Sequence, residues 1–288
     1  MIKTLSISIM MIILSLFIIS CNNTKDTKKI QDAEGPYNLG NIYYKQGNYD
    51  LSIKSYDESL KIYENNPRAW YGKGKCYYEL AKYDEAIKCY DTALKMAPEY
   101  SDALNDKGLA LSLLGKYNEA IKCFDSALKL YPDFPSALIN KGLALGSLAK
   151  YKEAIECYDK AIELDKYNER AIYNKGFALY ATGKYDEAIK IYDELLKINS
   201  TSIDALNGKG WALTAQKKYD EAIKCYNKAL KFNQSCIPVL NNLAYTVTQQ
   251  KKYDEAIKYY DRVLKVSPDD AFAKKNKEVI LKIIKKKK

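Results

Sequence analysis

The sequence predicts an all-α protein made of seven consecutive helical hairpins, and three observations support this prediction. A tyrosine recurs every 34 residues from Tyr49 to Tyr253, without insertion or deletion. Apolar residues within each interval follow the spacing of a buried helix face. Glycine and alanine stand at fixed places where two helices would approach closely. One hairpin cannot bury its apolar faces alone, so the hairpins are expected to stack on each other.

The third interval, residues 101–134, shows how one hairpin is encoded. Its first half puts four residues on one helical face: Ala103, Leu104, Gly108 and Leu111. A glycine at position 115, followed by a lysine, marks a turn. The second half repeats the pattern with a further four: Ala120, Phe124, Ala127 and Leu128. The interval is therefore predicted to form a helix, a turn and a second helix.

The second interval carries the residues that relate this pattern to a known family. In chain order they are Trp70, Lys73, Gly74, Tyr77, Ala86, Tyr90, Ala93 and Pro98. They match the consensus W-x2-L-G-x2-Y…A-x3-F…P, so the sequence resembles the tetratricopeptide repeat (TPR) family over about four-fifths of its length. The resemblance implies a right-handed α-solenoid of seven repeats spanning 33–270, with units at 33–66, 67–100, 101–134, 135–168, 169–202, 203–236 and 237–270.

Terminal repeats of a solenoid need polar caps. Residues 271–288 are predicted to form a capping helix and a basic tail. The helix can turn five apolar residues inward: Phe272, Val279, Ile280, Ile283 and Ile284. At the other end, Pro36 suits the first turn of the opening helix, where its missing N–H costs nothing.

Residues 1–20 have the pattern of a signal peptide, with an early lysine and an apolar stretch too short to span a bilayer. The stretch ends on a small residue followed by Cys21. This ending resembles the lipobox of bacterial lipoproteins, which implies cleavage before Cys21 and its acylation. An ordinary secretory signal or an uncleaved anchor is the alternative. Residues 21–32 are expected to be a flexible tether on a bacterial envelope membrane, outer or inner.

The composition argues against an enzyme. The chain has no histidine, which excludes His-dependent acid–base catalysis, Ser–His triads and His-liganded metals. We find no nucleophile–base pair, and therefore predict no catalytic residues, no cofactor and no metal site. The net charge of +10 would suit a nucleic acid, but the excess lies mainly in the tail and export argues against that partner. Lys285–Lys288 are instead candidates for contact with anionic lipid.

Two columns of residues have both a structural and a functional interpretation. Cysteines occupy one repeat position in four units: Cys89, Cys123, Cys157 and Cys225. We interpret them as packed thiols, with a disulfide or metal site as the alternative. Lysine replaces the usual leucine in five units: Lys73, Lys107, Lys141, Lys175 and Lys209. We expect these lysines to reach water or an acidic neighbour, with a ladder that grips an anion as the alternative.

The resemblance to TPR proteins also implies a concave groove lined by the first helix of each hairpin, at its second, fifth, ninth, twelfth and thirteenth positions. At its fifth, ninth and twelfth positions the groove would carry tyrosines near the N-terminal end, aliphatic residues in the middle and large aromatics toward the C-terminal end. The candidate partner-binding residues are Tyr37, Asn41, Tyr71, Leu109, Ile139, Leu143, Tyr173, Phe177, Tyr180, Trp211 and Tyr245. An exposed aromatic surface of this kind usually marks a binding site, whereas mutual packing across the groove is the alternative.

These observations favour a non-catalytic scaffold that binds another envelope protein or a peptide segment of it. The resemblance suggests a role similar to that of TPR lipoproteins that help to assemble outer-membrane proteins, pili or secretion machinery. The alternative is a glycan- or lipid-binding envelope module that uses the groove aromatics.

Overall fold

The computed structural model describes residues 26–287. The predicted signal peptide (1–20) and the predicted lipidation site, Cys21, lie outside the described residues. Within them the secondary structure is entirely helical. No helix in this part of the chain combines the length and apolar character needed to cross a bilayer.

Fifteen helices follow each other along the described residues, with short turns between them. The bounds are α1 (26–45), α2 (Tyr49–Ile62), α3 (Pro67–Glu79), α4 (Tyr83–Met96), α5 (Ser101–Leu113), α6 (Tyr117–Leu130), α7 (Pro135–Ser147), α8 (Tyr151–Leu164), α9 (Glu169–Ala181), α10 (Tyr185–Ile198), α11 (Ile203–Ala215), α12 (Tyr219–Phe232), α13 (Ile237–Gln249), α14 (Tyr253–Val266) and α15 (Ala271–Lys287). The predicted hairpins are confirmed: the odd-numbered helices α1 to α13 are the first helices and the even-numbered ones are the second helices.

The helices form two compact units. Unit 1 ends at Pro132 and unit 2 begins at Asp133. Unit 1 contains small apolar clusters, one around Tyr56 and another around Tyr90. Unit 2 contains a larger cluster that runs from Leu206 in α11 to Ile280 in α15. The apolar core is therefore most extensive at the C-terminal end of unit 2.

One aromatic ring per hairpin fills the space beside its paired helix. The seven rings are all buried: Tyr56, Tyr90, Phe124, Tyr158, Tyr192, Tyr226 and Tyr260. Glycine opposite the ring makes this possible, since a Cβ at Gly108 would lie 2.6 Å from Cε1 of Phe124. The close approach inferred from the glycine column is thereby confirmed.

Each first helix of the seven hairpins is followed, two positions after its last residue, by one residue with a left-handed backbone. These residues share one repeat position: Gly47, Ala81, Gly115, Ala149, Gly183, Lys217 and Lys251. In the third repeat the N–H of Lys116 donates to the carbonyl of Leu111 at 2.9 Å, and the N–H of Gly115 donates to that of Ser112 at 3.0 Å. These two bonds satisfy carbonyls that would otherwise be orphaned at the helix end, as in a Schellman motif.

The lysine column pairs with aspartates of the preceding second helix. The Nζ to Oδ1 distances are 2.5 to 2.6 Å in four pairs formed by lysines of the column: Lys73–Asp57, Lys107–Asp91, Lys175–Asp159 and Lys209–Asp193. Lys277 of α15 pairs with Asp261 in the same way. For these lysines the expectation of an acidic neighbour is confirmed, so their charges are already matched within the protein.

The lysine and aspartate columns change together at one place in the chain. Where the seventh repeat has Leu243 instead of lysine, the preceding helix has Asn227 instead of aspartate. Leu243 is fully buried. A lysine-to-leucine change would leave an aspartate there without its cation, and the asparagine removes that charge.

The expected tether is corrected by the structure. Residues 26–32, predicted to be flexible, form the exposed first turns of α1, and Pro36 lies inside this helix rather than in its first turn. Two hydroxyls of α2 hold the packed part of α1: Ser59 Oγ donates to the carbonyl of Ala33 at 2.9 Å and Ser52 Oγ donates to that of Gly40 at 2.7 Å. Extending a helix that is already docked avoids the cost of nucleation, so polar residues without apolar periodicity can still be helical.

At the C-terminal end, α15 caps the last hairpin. Ala273 and Ile280 are buried, as an inward apolar stripe requires. Lys274 and Glu278 stand at the positions that Leu240 and Ala244 occupy in α13, so the outer face is polar. The prediction that Phe272 and Val279 face inward is wrong, because both side chains are about half exposed. Their offset from the buried stripe puts them on a different side of the helix.

Candidate functional site

The first helices of unit 2 bring four predicted groove residues to one surface. We call this set the aromatic cluster: Phe177 and Tyr180 on α9, Trp211 on α11 and Tyr245 on α13. The rings of Tyr180 and Trp211 are stacked with centroids 4.3 Å apart, and those of Phe177 and Trp211 are 6.1 Å apart and tilted. The sequence placed these residues on one helical stripe, and the structure brings α9 and α11 together so that the stripe becomes a surface.

The aromatic cluster remains open to solvent despite these contacts. The exposed fractions are 38% for Phe177, 36% for Trp211 and 41% for Tyr245. Packing of the rings on each other therefore covers only part of the apolar surface. A contiguous apolar patch of this kind is typical of a binding surface.

The scaffold itself sets the direction of these side chains. Gly176 and Gly210 must face the buried rings of Tyr192 and Tyr226, because an added Cβ would lie within 2.7 Å of either ring. Successive helix residues are rotated by about 100°. The residues directly after these glycines, Phe177 and Trp211, consequently point away from the core.

The aromatic cluster borders a cavity of about 500 Å³ within unit 2. Thr214, Asn242 and Gln249 add polar groups to its lining, and Phe272 from the capping helix adds a further ring. Phe272 is 47% exposed. Sequence reasoning missed this contribution because it assigned Phe272 to the inward stripe of α15. Its repeat position, the second of a first helix, is one of the groove positions and was the available signal.

Several polar groups beneath this surface are already satisfied. Thr214 Oγ1 donates to the carbonyl of Gly210 at 2.9 Å and lies 2.8 Å from Thr246 Oγ1. Asn242 Nδ2 donates to Asn207 Oδ1 at 2.9 Å. By contrast, the Trp211 indole N–H donates to no acceptor among the described residues. The surface therefore offers apolar contact area together with a donor.

The other predicted groove residues of unit 2 are less accessible. Ile139 is buried, with 3% of its surface exposed, so it is corrected from a partner-binding residue to a core residue. Leu143 is half-buried. Tyr173 packs against Tyr192 with ring centroids 6.0 Å apart. Periodicity alone could not separate them from the exposed cluster, because exposure depends on how neighbouring first helices pack.

In unit 1 the predicted groove residues mainly contact each other and the core. Tyr56 Oη donates to Asn41 Oδ1 at 2.7 Å, and the Tyr37 ring lies 5.9 Å from the Tyr56 ring. The Arg68 guanidinium lies 5.0 Å from the Tyr37 centroid. The first-helix surface of unit 1 is thus more polar and more internally paired than that of unit 2.

A second cavity, of about 200 Å³, lies in unit 1 and includes the predicted residue Leu109 in its lining. Beside it, Tyr71 Oη donates to Asp106 Oδ2 at 2.7 Å, and Asn105 Nδ2 donates to Asp106 Oδ1 at 3.0 Å. Burial raises the pKa of Asp106, and these hydrogen bonds partly offset the rise. Sequence reasoning singled out Tyr71 and missed Asp106. Asp106 is the sixth residue of its repeat, where a charged side chain would be interpreted as part of a solvated helix face.

The described residues contain no group of three or more side chains suited to hold a metal ion. The cysteines from Cys76 onward are free thiols. Burial raises the pKa of Cys89 to about 11, so this thiol stays protonated and unreactive at neutral pH. The interpretation of the cysteine column as packed thiols agrees with these observations.

Repeated hairpins with varied first-helix surfaces define a class of protein: helical-repeat scaffolds that bind other proteins. Comparison with known families makes this more specific. Two tetratricopeptide repeat families match residues 32–99, 66–133 and 106–169, and the family of anaphase-promoting complex (cyclosome) subunit 3 matches 147–229 and 181–263. The chain is a tetratricopeptide repeat protein. This fold is typical of non-catalytic scaffolds for protein interaction.

Solved structures agree on the fold. A tetratricopeptide repeat protein from Parabacteroides merdae is 17% identical, with a TM-score of 0.71, over 87% of this chain and 99% of its own. The Cut9–Hcn1 hetero-tetramer of the APC/C is 18% identical, with a TM-score of 0.65, over 81% of this chain, which spans about half (48%) of that chain. YrrB, described as a TPR protein with an unusual peptide-binding site, is 19% identical, with a TM-score of 0.51, over 67% of this chain and 99% of its own. No curated protein sequence matches this chain.

Proposed function

We propose that this protein is a non-catalytic scaffold of a bacterial cell envelope that binds a peptide segment of another envelope protein on the aromatic cluster of unit 2. The observation that carries the proposal is the arrangement of two exposed rings, Phe177 and Trp211, around the half-buried Tyr180, which stacks on Trp211. Large rings held rigidly on helices offer contact area at little entropic cost, which is why Trp and Tyr dominate binding hot spots.

The ring geometry favours a peptide over a sugar as the ligand. A sugar stacks on the open face of an aromatic ring, but Tyr180 covers one face of the Trp211 indole and Phe177 lies beside it. The exposed parts of the cluster are better suited to contact apolar side chains of a partner. The Trp211 indole N–H can donate to a carbonyl of the bound segment. A glycan array tests the alternative, and binding that depends on Trp211 would favour a glycan module.

The direct test is site-specific photo-crosslinking in the native cell, with a photoreactive amino acid in place of Tyr245. We expect a defined adduct with one envelope protein. The double variant Phe177→Ala with Trp211→Ala should reduce that adduct by about tenfold or more, the loss expected for hot-spot aromatics. Its thermal unfolding midpoint should stay close to that of the parent, because both rings are already partly solvated.

Tyr167→Ala is the matched control, since Tyr167 is a highly exposed tyrosine that lies outside the aromatic cluster. It should leave the adduct unchanged. If the double variant unfolds at a much lower temperature instead, the rings serve packing and the binding proposal fails. Equal losses in the control and in the double variant would contradict it as well.

Anchoring is a separate part of the proposal and rests on Cys21. We propose that its acyl chains attach the scaffold to an envelope membrane, since more than one chain holds a protein firmly where a single chain is marginal. Cells fed labelled palmitate should label the parent and not the Cys21→Ala variant. Label retained in that variant would overturn the anchor without affecting the peptide-binding proposal.

The basic tail is the third part. Deleting residues 285–288 should weaken binding of the protein to vesicles that contain anionic phosphatidylglycerol, because each lysine near such a surface contributes about 1 kcal/mol. Neutral phosphatidylcholine vesicles are the control. Unchanged binding to anionic vesicles would restrict the lysines to keeping the cap soluble.

A further inference from the structure

The unit 1 cavity is lined by aromatic rings together with charged side chains. Tyr44, Tyr78 and Tyr90 contribute rings, and Lys75, Glu79 and Asp106 contribute charges. The residues come from four helices, α1, α3, α4 and α5, so the cavity is a product of the fold and not of one loop. Neither the repeat consensus nor the aromatic cluster of unit 2 accounts for it.

An ammonium group already lies over the Tyr44 ring of this lining and over the ring of Tyr71 beside the cavity. The Lys75 Nζ is 4.4 Å from the centroid of Tyr44 and 5.7 Å from that of Tyr71. No ion pair within the described residues includes Lys75. Ring faces, rather than an ion pair with a carboxylate, therefore hold this cation.

The carboxylates around the cavity are fixed in place by other side chains. Tyr71 and Asn105 donate to the two oxygens of Asp106, and Tyr44 Oη donates to Glu79 Oε1 at 3.3 Å. Two acids face one lysine, so the negative charge is in excess. The ring faces add further negative potential, and an incoming anion would be repelled where a cation would be attracted.

We propose that this cavity recognises one cationic side chain, lysine or arginine, of a bound partner, and that Lys75 occupies the site while the partner is absent. The inference deepens the proposed function and rests on it only for the existence of a partner. The flexible Lys75 stem can swing out to solvent, which exposes the rings and the carboxylates to the incoming cation.

The test uses a small probe, N-acetyl-arginine amide, titrated against the full chain and followed by amide chemical shifts of the α3 and α5 residues. Lys75→Met should tighten probe binding by about three- to fivefold, the ratio expected from removing one competing cation–π contact. Asp106→Asn and Glu79→Gln should each weaken it, by about tenfold for Asp106→Asn because a charge-assisted contact is lost. Lys54→Met, at an exposed position of α2, should change nothing.

The proposal would be overturned if Lys75→Met bound the arginine probe more weakly than the parent does. It would also be overturned if the cavity bound N-acetyl-aspartate amide in preference to the arginine probe, because the cavity would then favour anions. Absence of binding to both the parent and Lys75→Met, with thermal midpoints unchanged, would overturn it too. Because the probe needs no partner, failure here leaves the photo-crosslinking result of unit 2 standing, and failure there leaves this result standing.

Discussion

Units 1 and 2 use one hairpin design and present different chemistry on it. On the first helices of unit 1, Tyr71 bonds to Asp106 and Arg68 stacks on Tyr37, so the polar side chains are largely paired with each other. On those of unit 2, Phe177 and Trp211 stand exposed. The buried glycine and aromatic positions show no such contrast between the units. The comparison shows that a few first-helix positions can change without altering the residues that hold each hairpin together.

The largest expected effect tests whether the scaffold is indeed shared. A Cβ at Gly74 in unit 1 or at Gly210 in unit 2 would lie 2.6 Å from Cε1 of the ring it faces. Gly74→Ala and Gly210→Ala should each lower the free energy of unfolding by about 1–3 kcal/mol, as overpacking does. Urea unfolding of the full chain measures this.

Gly146→Ala is the control, because nothing lies within 4 Å of the added Cβ. It should raise the free energy of unfolding by about 0.5–1 kcal/mol through helix propensity. A loss confined to one of the two units would show that the glycine–ring contact is not a common requirement.

A smaller effect is expected at the hairpin turns. Ala81 in unit 1 and Ala149 in unit 2 have positive φ values of 56° and 57°. Ala81→Gly and Ala149→Gly should each stabilise the protein by about 0.5–1 kcal/mol, because the relieved strain exceeds the added chain entropy. The reverse change, Gly115→Ala, should destabilise it. Thermal unfolding midpoints that fall in both forward variants would contradict this account of the turn.

Replacing one partner of a lysine–aspartate pair is expected to change stability by a similar or smaller amount. Lys209→Leu in unit 2 leaves Asp193 without its cation and should cost about 0.5–1 kcal/mol, given partial solvent screening. Adding Asp193→Asn should recover most of the loss, since the chain itself combines Leu243 with Asn227. The same cycle at Lys73 and Asp57 provides the unit 1 counterpart. Strict additivity of the single variants in urea unfolding would mean that the pairs do not interact.

The smallest expected effect is on the pH dependence of stability. It distinguishes the units because it comes from Asp106 of unit 1. Burial raises the pKa of Asp106 in the folded state, so folding favours its protonated form. Its contribution to stability is greatest below the unfolded pKa of about 3.9 and declines as the pH rises through the raised folded pKa. Asp106→Asn should flatten this part of the stability–pH profile by a few tenths of a kcal/mol at most for a partly compensated group.

Unit 2 provides the reason for choosing asparagine in that variant. Its first helices carry only uncharged residues at the position equivalent to Asp106: Asn140, Asn174, Gly208 and Asn242. Unfolding midpoints between pH 3.5 and 7 measure the effect. A profile that keeps its slope in Asp106→Asn would assign the pH dependence to other groups.

The hairpins could be predicted because their signals are local and repeated. The 34-residue spacing, the glycine facing a ring and the helical face of the third repeat all lie within one unit, and each hairpin repeats the evidence. The aromatic cluster was predictable for the same reason, since Phe177 and Trp211 occupy equivalent positions of neighbouring repeats.

The failures have a common physical origin in packing between elements. Residues 26–32 lack an apolar face, and their helix depends on continuity with the docked part of α1. The burial of Ile139 and the exposure of Phe272 depend on the rotation and neighbours of whole helices. Asp106 became notable only when the fold placed Tyr71 and Asn105 around it.

The joint change at Asn227 and Leu243 bears on how such a chain can grow or shrink by duplication and loss of units. A unit that carries lysine at its front and aspartate at its back can be copied or deleted, and the new junction still joins opposite charges. Losing the sixth unit alone would set Asp193 against Leu243, and losing the seventh alone would set Asn227 against Lys277. Losing both would rejoin Asp193 with Lys277, so only the joint loss of the last two units would keep opposite charges at the new junction.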